Sequence, residues 1–233
     1  MDRRVFIASG LAALASFPAS AQSLSRAQAA NGLRTALDQA ARLATTRLGR
    51  RDGFWGDSQV RIPLPRQVAS IQSTLRSVGM SGAIDDLELG LNRAAEAAMP
   101  AARDIFISAI RDMSVSDAVG IVRGSDTAAT EYLRRSSGPR LERALEPHMQ
   151  GAMRQAGVYR SLDRLEPYVD RGNSLLGRFG IGGTSSRDLA DRLSDHAVDK
   201  ALDGVFYYVG QEERAIRRDP LGQASSILRR VFG

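Results

Sequence analysis

Apolar residues return every three to four positions through most of this chain, and no run alternates with the period of two that a half-buried strand requires. The pattern predicts an all-α protein: a single compact multi-helix bundle over residues 22–233, with one long C-terminal helix. Residues 25–48 carry Leu33, Leu37, Ala40, Ala41, Ala44 and Leu48 on one stripe and read as the first helix. From Gly49 to Pro65 the periodicity lapses, in a helix-poor stretch holding Gly53-Phe54-Trp55-Gly56 and Ile62-Pro63-Leu64-Pro65. Residues 66–78 form the second helix, stopped by Gly79. A helix over 83–98 ends before Pro100, which suits the first turn of another helix over 100–112.

Ser114 caps a short helix over 115–122, with Asp117 three places on as in a capping box. Gly124 ends it, and Ser125 or Asp126 caps a helix over 127–136. Pro139 opens a helix that runs to about 156, kinks at Pro147 and stops at Gly157. Ser161 caps a helix over 162–171, and residues 172–185, with Gly180, Gly182 and Gly183, read as a Gly-rich loop. The longest helix covers roughly 187–217, with Leu189, Leu193, Ala197, Leu202, Val205, Val209 and Ile216 near one face. Pro220 starts a final amphipathic helix containing Ile227, Leu228, Val231 and Phe232.

Ile71–Arg93 and Met149–Arg171 align without gaps. They share Gln72/Gln150, Arg76/Arg154, Gly79/Gly157, Asp85/Asp163, Leu87/Leu165, Glu88/Glu166 and Arg93/Arg171. A duplicated helical hairpin explains this, as does convergence of two Arg- and Leu-rich amphipathic hairpins.

The first residues read differently. Arg3 and Arg4 precede an apolar run from Val5 to Phe17, and Ala19-Ser20-Ala21 follows Pro18 as a small-residue cleavage site. The run is shorter than the roughly 20 residues a membrane-spanning helix needs. Residues 1–21 are therefore expected to be a cleavable export signal, with no transmembrane helix after its removal and a periplasmic destination. Arg3-Arg4-Val5-Phe6-Ile7 is similar to a twin-arginine signal, although Asp2 and Ala8 depart from that pattern, and general secretion stays open.

Composition narrows the chemistry. There is no cysteine, which removes disulfides, thiolate metal sites, cysteine nucleophiles and cysteine-anchored lipidation. The formal charge is +6, but 32 basic residues are interleaved with 26 acids and form no long basic run, so nucleic acid is not the expected partner. Two histidines, His148 and His196, are not at ligand spacing, and no metal or cofactor is expected. His196, beside Asp195 and Asp199, reads as part of a solvated face. No phosphate loop, dinucleotide fingerprint, zinc-protease motif or nucleophile elbow is present, so no catalytic residue is assigned.

Several segments in order carry a family resemblance. They are Gly53-Phe54-Trp55, Arg61-Ile62-Pro63-Leu64-Pro65, Leu91-Asn92-Arg93-Ala94-Ala95-Glu96, Asp126-Thr127-Ala128-Ala129-Thr130-Glu131-Tyr132-Leu133, Lys200-Ala201-Leu202-Asp203-Gly204-Val205-Phe206 and Gln211-Glu212-Glu213-Arg214-Ala215-Ile216-Arg217-Arg218-Asp219-Pro220. Together they resemble the bacterial domain-of-unknown-function family 4197 over about residues 30–233. The resemblance implies an exported helical protein and supplies no activity, ligand or catalytic residue.

The ligand- or partner-binding candidates come from the residues themselves. Asn92 and Glu96 are four apart and share a helix face lined with alanines; they serve either to link helices or to meet a ligand. Asp126 reads as an N-cap, with Thr130 near a cleft. Lys200, the only lysine, projects with Asp203 and Tyr207 from one side of the long helix, either as a surface ion pair or as part of a site. Glu213 and Arg217 are placed to form an ion pair in the favourable order. Phe54 and Trp55, the latter the only tryptophan, either fold back on the core or touch a ligand, partner or membrane interface.

Three roles follow as expectations. The first is a binding or interaction module with an inter-helix groove for a small apolar ligand or a partner. The second is an envelope-associated structural protein, with peripheral membrane contact through the terminal helix and Arg229 and Arg230. The third is an enzyme using Glu96, Asp203 and Lys200.

Overall fold

Alanine sets how closely these helices pack. The first helix, α1 (Arg26–Leu48), buries the predicted stripe of Leu33, Leu37, Ala40, Ala41, Ala44 and Leu48, and Ala30 and Ala36 with it. Such short side chains let a neighbouring backbone approach, and the leucines supply about 1.5–3 kcal/mol each when fully buried. The computed structural model describes residues 26–66, 81–169 and 186–218. The leader expected over 1–21, all but the first residue of the helix expected at 66–78, the Gly-rich loop expected over 172–185 and the helix expected from Pro220 lie outside those residues, as does the part before Ser81 of the first of the two aligned segments.

Five further helices follow among the described residues: α2 (Ser81–Arg111), α3 (Val115–Val122), α4 (Ala128–Gln155), α5 (Val158–Val169) and α6 (Ser186–Arg218). No strand is found among them. The two longest, α2 and α6, extend about 46 and 50 Å at 1.5 Å per residue. α2 touches α1, α4, α5 and α6, and α6 also packs on α1 and α4, so these two helices form the spine of the bundle. Phe106 of α2 meets Phe206 of α6 edge to face, with ring centroids 5.1 Å apart. The stripe expected on the long helix is buried, except that Leu189 is only half-buried.

Two prolines, Pro100 and Pro139, divide the sequence reading from the structure, while a helix through Pro147 was expected. α2 runs straight through Pro100, where two helices were expected, and α4 runs through both Pro139 and Pro147, joining helices expected at 127–136 and 139–156. Each proline removes one backbone hydrogen bond and crowds the carbonyl four residues earlier. All three sit on the exposed side of their helices, away from packed neighbours. On the opposite side the buried stripe continues without a break, through Met99, Ala102 and Phe106 in α2 and through Leu133, Leu141, Leu145 and Met149 in α4. Burial of that many side chains outweighs a penalty of about 3 kcal/mol per proline.

Ser114 caps α3 as predicted: its hydroxyl accepts from the Asp117 amide at 3.1 Å. Ser161 does not cap a helix at 162. α5 begins at Val158, and the Ser161 amide already donates to the Gly157 carbonyl at 3.1 Å. Gly157 makes this early start available, because its φ of +79° turns the chain between α4 and α5 in a conformation that side chains resist.

Candidate functional site

The stretch from Gly49 to Pro65 is a series of turns whose amides bond in part within the segment and to the end of α1, and the main-chain groups left over need other partners. Four find them on α2. The Asn92 side-chain oxygen accepts from the Ile62 amide at 2.9 Å, and its nitrogen donates to the Ile62 carbonyl at 2.8 Å and to the Glu88 carbonyl at 2.9 Å. One turn later, Glu96 accepts from the amides of Phe54 at 3.1 Å and Trp55 at 3.2 Å through one oxygen. Its other oxygen accepts from Arg93 at 2.7 Å, and Arg93 reaches on to Asp52 at 2.7 Å. Bonding to Glu96, then to Asp52, raises the Arg93 guanidinium above its ordinary value, so it stays charged. Asn92 and Glu96 are buried, so these bonds form where water does not compete.

α6 and α1 hold the outer side of the same loop. Phe54 is buried against Gly204, where an added Cβ would stand 2.8 Å from the ring. His196 donates from Nε2 to the Pro63 carbonyl at 2.8 Å. That oxygen only accepts, so Nε2 carries the proton. Tyr208 donates to Asp57, Arg47 pairs with Asp57 at 3.3 Å, and the Arg47 guanidinium lies 4.2 Å from the Tyr208 ring centre. The Tyr208 bond, with the Gln59 amide and Arg47, holds the Asp57 carboxyl below its usual range against partial burial. Burial, then Asp57, pushes the Tyr208 phenol up to about 12. Tyr207 sits edge to face with Tyr208 and reaches Gln59 only at 3.5 Å, a weak contact. Trp55 stays half-buried, covered by the Arg61 guanidinium 3.5 Å above its ring. Thus Phe54, not Trp55, takes the core position.

A second buried acid closes the start of α4. Asp126 is exposed and does not cap this helix; the N-cap position falls to Thr127, whose side chain makes no capping bond. Glu213 of α6 does the work instead. One of its oxygens accepts from the Ala129 amide, and the other from the Thr130 amide, both at 3.0 Å; the Thr130 hydroxyl adds a bond at 2.8 Å. Negative charge at a helix N-terminus is favourable. Arg217 then pairs with Glu213 at 3.0 Å and donates to the carbonyls of Ile121 and Val122, closing the end of α3. The pair expected from the sequence is present, but it is buried and joins two helix termini. Only the nearness of α4 in space reveals that role, and local spacing carries no signal of it.

Lys200 and Asp203 form a surface pair at 2.9 Å, and Arg134 of α4 meets the same carboxylate at 2.6 Å. The Asp203 bond raises the Lys200 ammonium above the lysine range, which is the wrong direction for a base or nucleophile. Partial burial pushes Asp203 up, yet the Arg134 and Lys200 bonds outweigh it and hold it low. The nine sequence candidates therefore do not all meet at one place. Phe54, Trp55, Asn92, Glu96 and Tyr207 belong to the braced loop; Thr130 belongs to the α4 terminus, with Asp126 outside it; Lys200 and Asp203 are on the surface.

The open clefts are charged. One of about 410 Å³ between α4 and α6 is bordered by Glu142, Glu146, Asp195 and Asp199. Another of about 540 Å³ between α2 and α5 is bordered by Arg93, Arg160 and Arg164 with Asp86. A third of about 400 Å³ lies near the end of α1 beside Arg42, Leu43, Arg47 and Arg50. Among the described residues, no helix is long and apolar enough to cross a membrane, and no group of three or more acidic or histidine side chains is placed to hold a metal ion.

Fold and contacts together define a helical bundle in which the long irregular segment Gly49–Pro65 is braced by side chains from three helices. The chain belongs to the family described as Protein of unknown function (DUF4197), whose profile matches residues 23–233. No curated protein and no solved structure matches it.

Proposed function

We propose that this protein is an exported helical interaction module that works without catalysis of its own. The observation that carries the reading is the complete engagement of its buried acids. Both oxygens of Glu96 and both of Glu213 are taken up by backbone amides, an arginine and, for Glu213, a hydroxyl. A general acid or base needs an oxygen free to face a substrate, and neither residue offers one. Lys200 and Asp203 neutralise each other at the surface, with Arg134 as a third member. What remains open to a partner is a set of charged clefts, which favours a polar or ionic partner over the small apolar ligand that the helical pattern alone suggests. The leader over residues 1–21 supports export to the periplasm.

The test is native mass spectrometry of the protein recovered separately from the periplasm and the cytoplasm of producing cells. The expected result is a periplasmic species beginning at Gln22 that carries a bound molecule or protein. An intact leader on protein retained in the cytoplasm sinks the export half. A bare periplasmic monomer under gentle conditions sinks the binding half.

A further inference from the structure

We infer that the cleft between α2 and the start of α5 is an anion-binding site, taking a phosphate or carboxylate group of a ligand larger than a single ion. The inference rests on the interaction-module reading and names the chemistry that such a module would recognise. Three guanidinium groups border this cleft, from Arg93, Arg160 and Arg164, against one carboxylate, Asp86. They differ in how far they are committed. Arg93 is held by Glu96 and Asp52, so it contributes field more than donors. Arg164 bonds Asp86 at 3.0 Å and the Ser161 hydroxyl at 2.9 Å, which fixes its fork at the cleft edge with N–H groups to spare.

Arg160 is the free donor. No acidic side chain among the described residues pairs with it. Its Nη2 lies 3.0 Å from where a Cβ on Gly157 would stand, so the guanidinium folds across the turn into the cleft, and any side chain at 157 would displace it. A planar guanidinium with unspent donors beside a second anchored one matches the paired oxygens of a phosphate or carboxylate. The space, about 540 Å³, falls within the range of small-molecule sites. Arg93 and Arg164, like Arg217 at Glu213, are each spent on a carboxylate. Arg160 is the guanidinium of the α2–α5 cleft that is not.

The experiment is isothermal titration of the full chain with pyrophosphate and with citrate at low salt, beside flotation with phosphatidylglycerol and phosphatidylcholine vesicles. Arg160→Gln and Arg164→Gln are the variants, and Arg143→Gln, at the acidic cleft, is the control. Arg160 is exposed, so its variant keeps the helical circular dichroism of the parent. Saturable binding of either soluble anion, weakened about tenfold or more by Arg160→Gln and unchanged by Arg143→Gln, is the expected result. Binding confined to phosphatidylglycerol vesicles and lost in Arg160→Gln assigns the same site to a lipid headgroup. Absence of saturable binding in every arm, or binding equal in Arg160→Gln and parent, overturns the site. If the anions fail while native mass spectrometry still finds a partner, the anion site falls alone; if both fail, the interaction-module reading falls with it.

Discussion

The Asn92 side-chain amide engages the main chain of Ile62 much as a neighbouring strand residue would, accepting from its amide at 2.9 Å and donating to its carbonyl at 2.8 Å. One helical side chain thus supplies both halves of a backbone pairing to a segment with no strand of its own. Asn92→Asp keeps the acceptor, removes both donated bonds and adds a buried charge. A loss of about 2–4 kcal/mol follows from the unpaired carbonyl and the desolvated carboxylate. Urea denaturation measures it; a loss below 1 kcal/mol would mean that the loop is not held at this point.

Glu213 and Asp126 should behave in opposite ways, although the sequence gives the capping role to Asp126. Glu213→Ala strands two amides of α4 and leaves Arg217 without its carboxylate, a cost of about 3–5 kcal/mol. Asp126→Ala, at an exposed position, should change stability by less than about 0.5 kcal/mol. Thermal melts of the two variants decide the matter, and equal effects would contradict the assignment.

Gly204 is the floor on which Phe54 rests. Gly204→Ala places a methyl group 2.8 Å from the ring, and the ring cannot retreat because Glu96 pins the Phe54 amide. Overpacking of this kind costs about 1–3 kcal/mol. Phe54→Leu opens space on the other side of the contact, so the double variant should lose less than the sum of the single losses. Strict additivity in a double-mutant cycle would show that the two residues do not press on each other.

The Asp57–Tyr208 bond makes stability depend on pH at both extremes. A carboxyl held low contributes stability that is present above its unfolded value near 3.9 and drains as pH falls through the folded value. A phenol pushed up to about 12 contributes stability that is present below its unfolded value near 10 and drains as pH rises toward 12. Tyr208→Phe should therefore cost about 1 kcal/mol near pH 7 and flatten the curve below about pH 4 and above about pH 10. Urea midpoints from pH 3 to pH 11 read this directly, and phenolate absorbance should lose its latest step. Parallel curves for parent and variant would rule out the coupling.

Much of the architecture is written in local spacing. The stripes of α1 and α6 and the Ser114 cap need only neighbours within a few residues, so periodicity reveals them. The prolines at 100 and 139 misled because proline is judged by its own helix, whereas the deciding term is the buried face beneath it, supplied by other helices. The polar residues divide the same way. Asn92 and Glu96 stood out as one helical face, and the choice between linking and binding turned on loop amides at 54, 55 and 62 that no spacing rule connects to them. Asp126 looked like a cap because nearby caps are common; Glu213, the actual partner, is separated from Ala129 by 84 positions. The arginine cleft was invisible for the same reason, since Arg93 and Arg160 come from different helices.

The braced loop also carries a consequence for timing. Its tethers to α6 join Pro63 to His196 across 133 residues and Asp57 to Tyr208 across 151. Contacts of that span form late, because the intervening chain must be ordered first. Residues 49–65 therefore seat only after the ribosome has delivered α6. A product cut short ahead of α6 would still wind its early helices, yet Phe54 would have no Gly204 to rest on. The sole tryptophan, Trp55, lies within that segment and gives a natural fluorescent signal that α6 has docked.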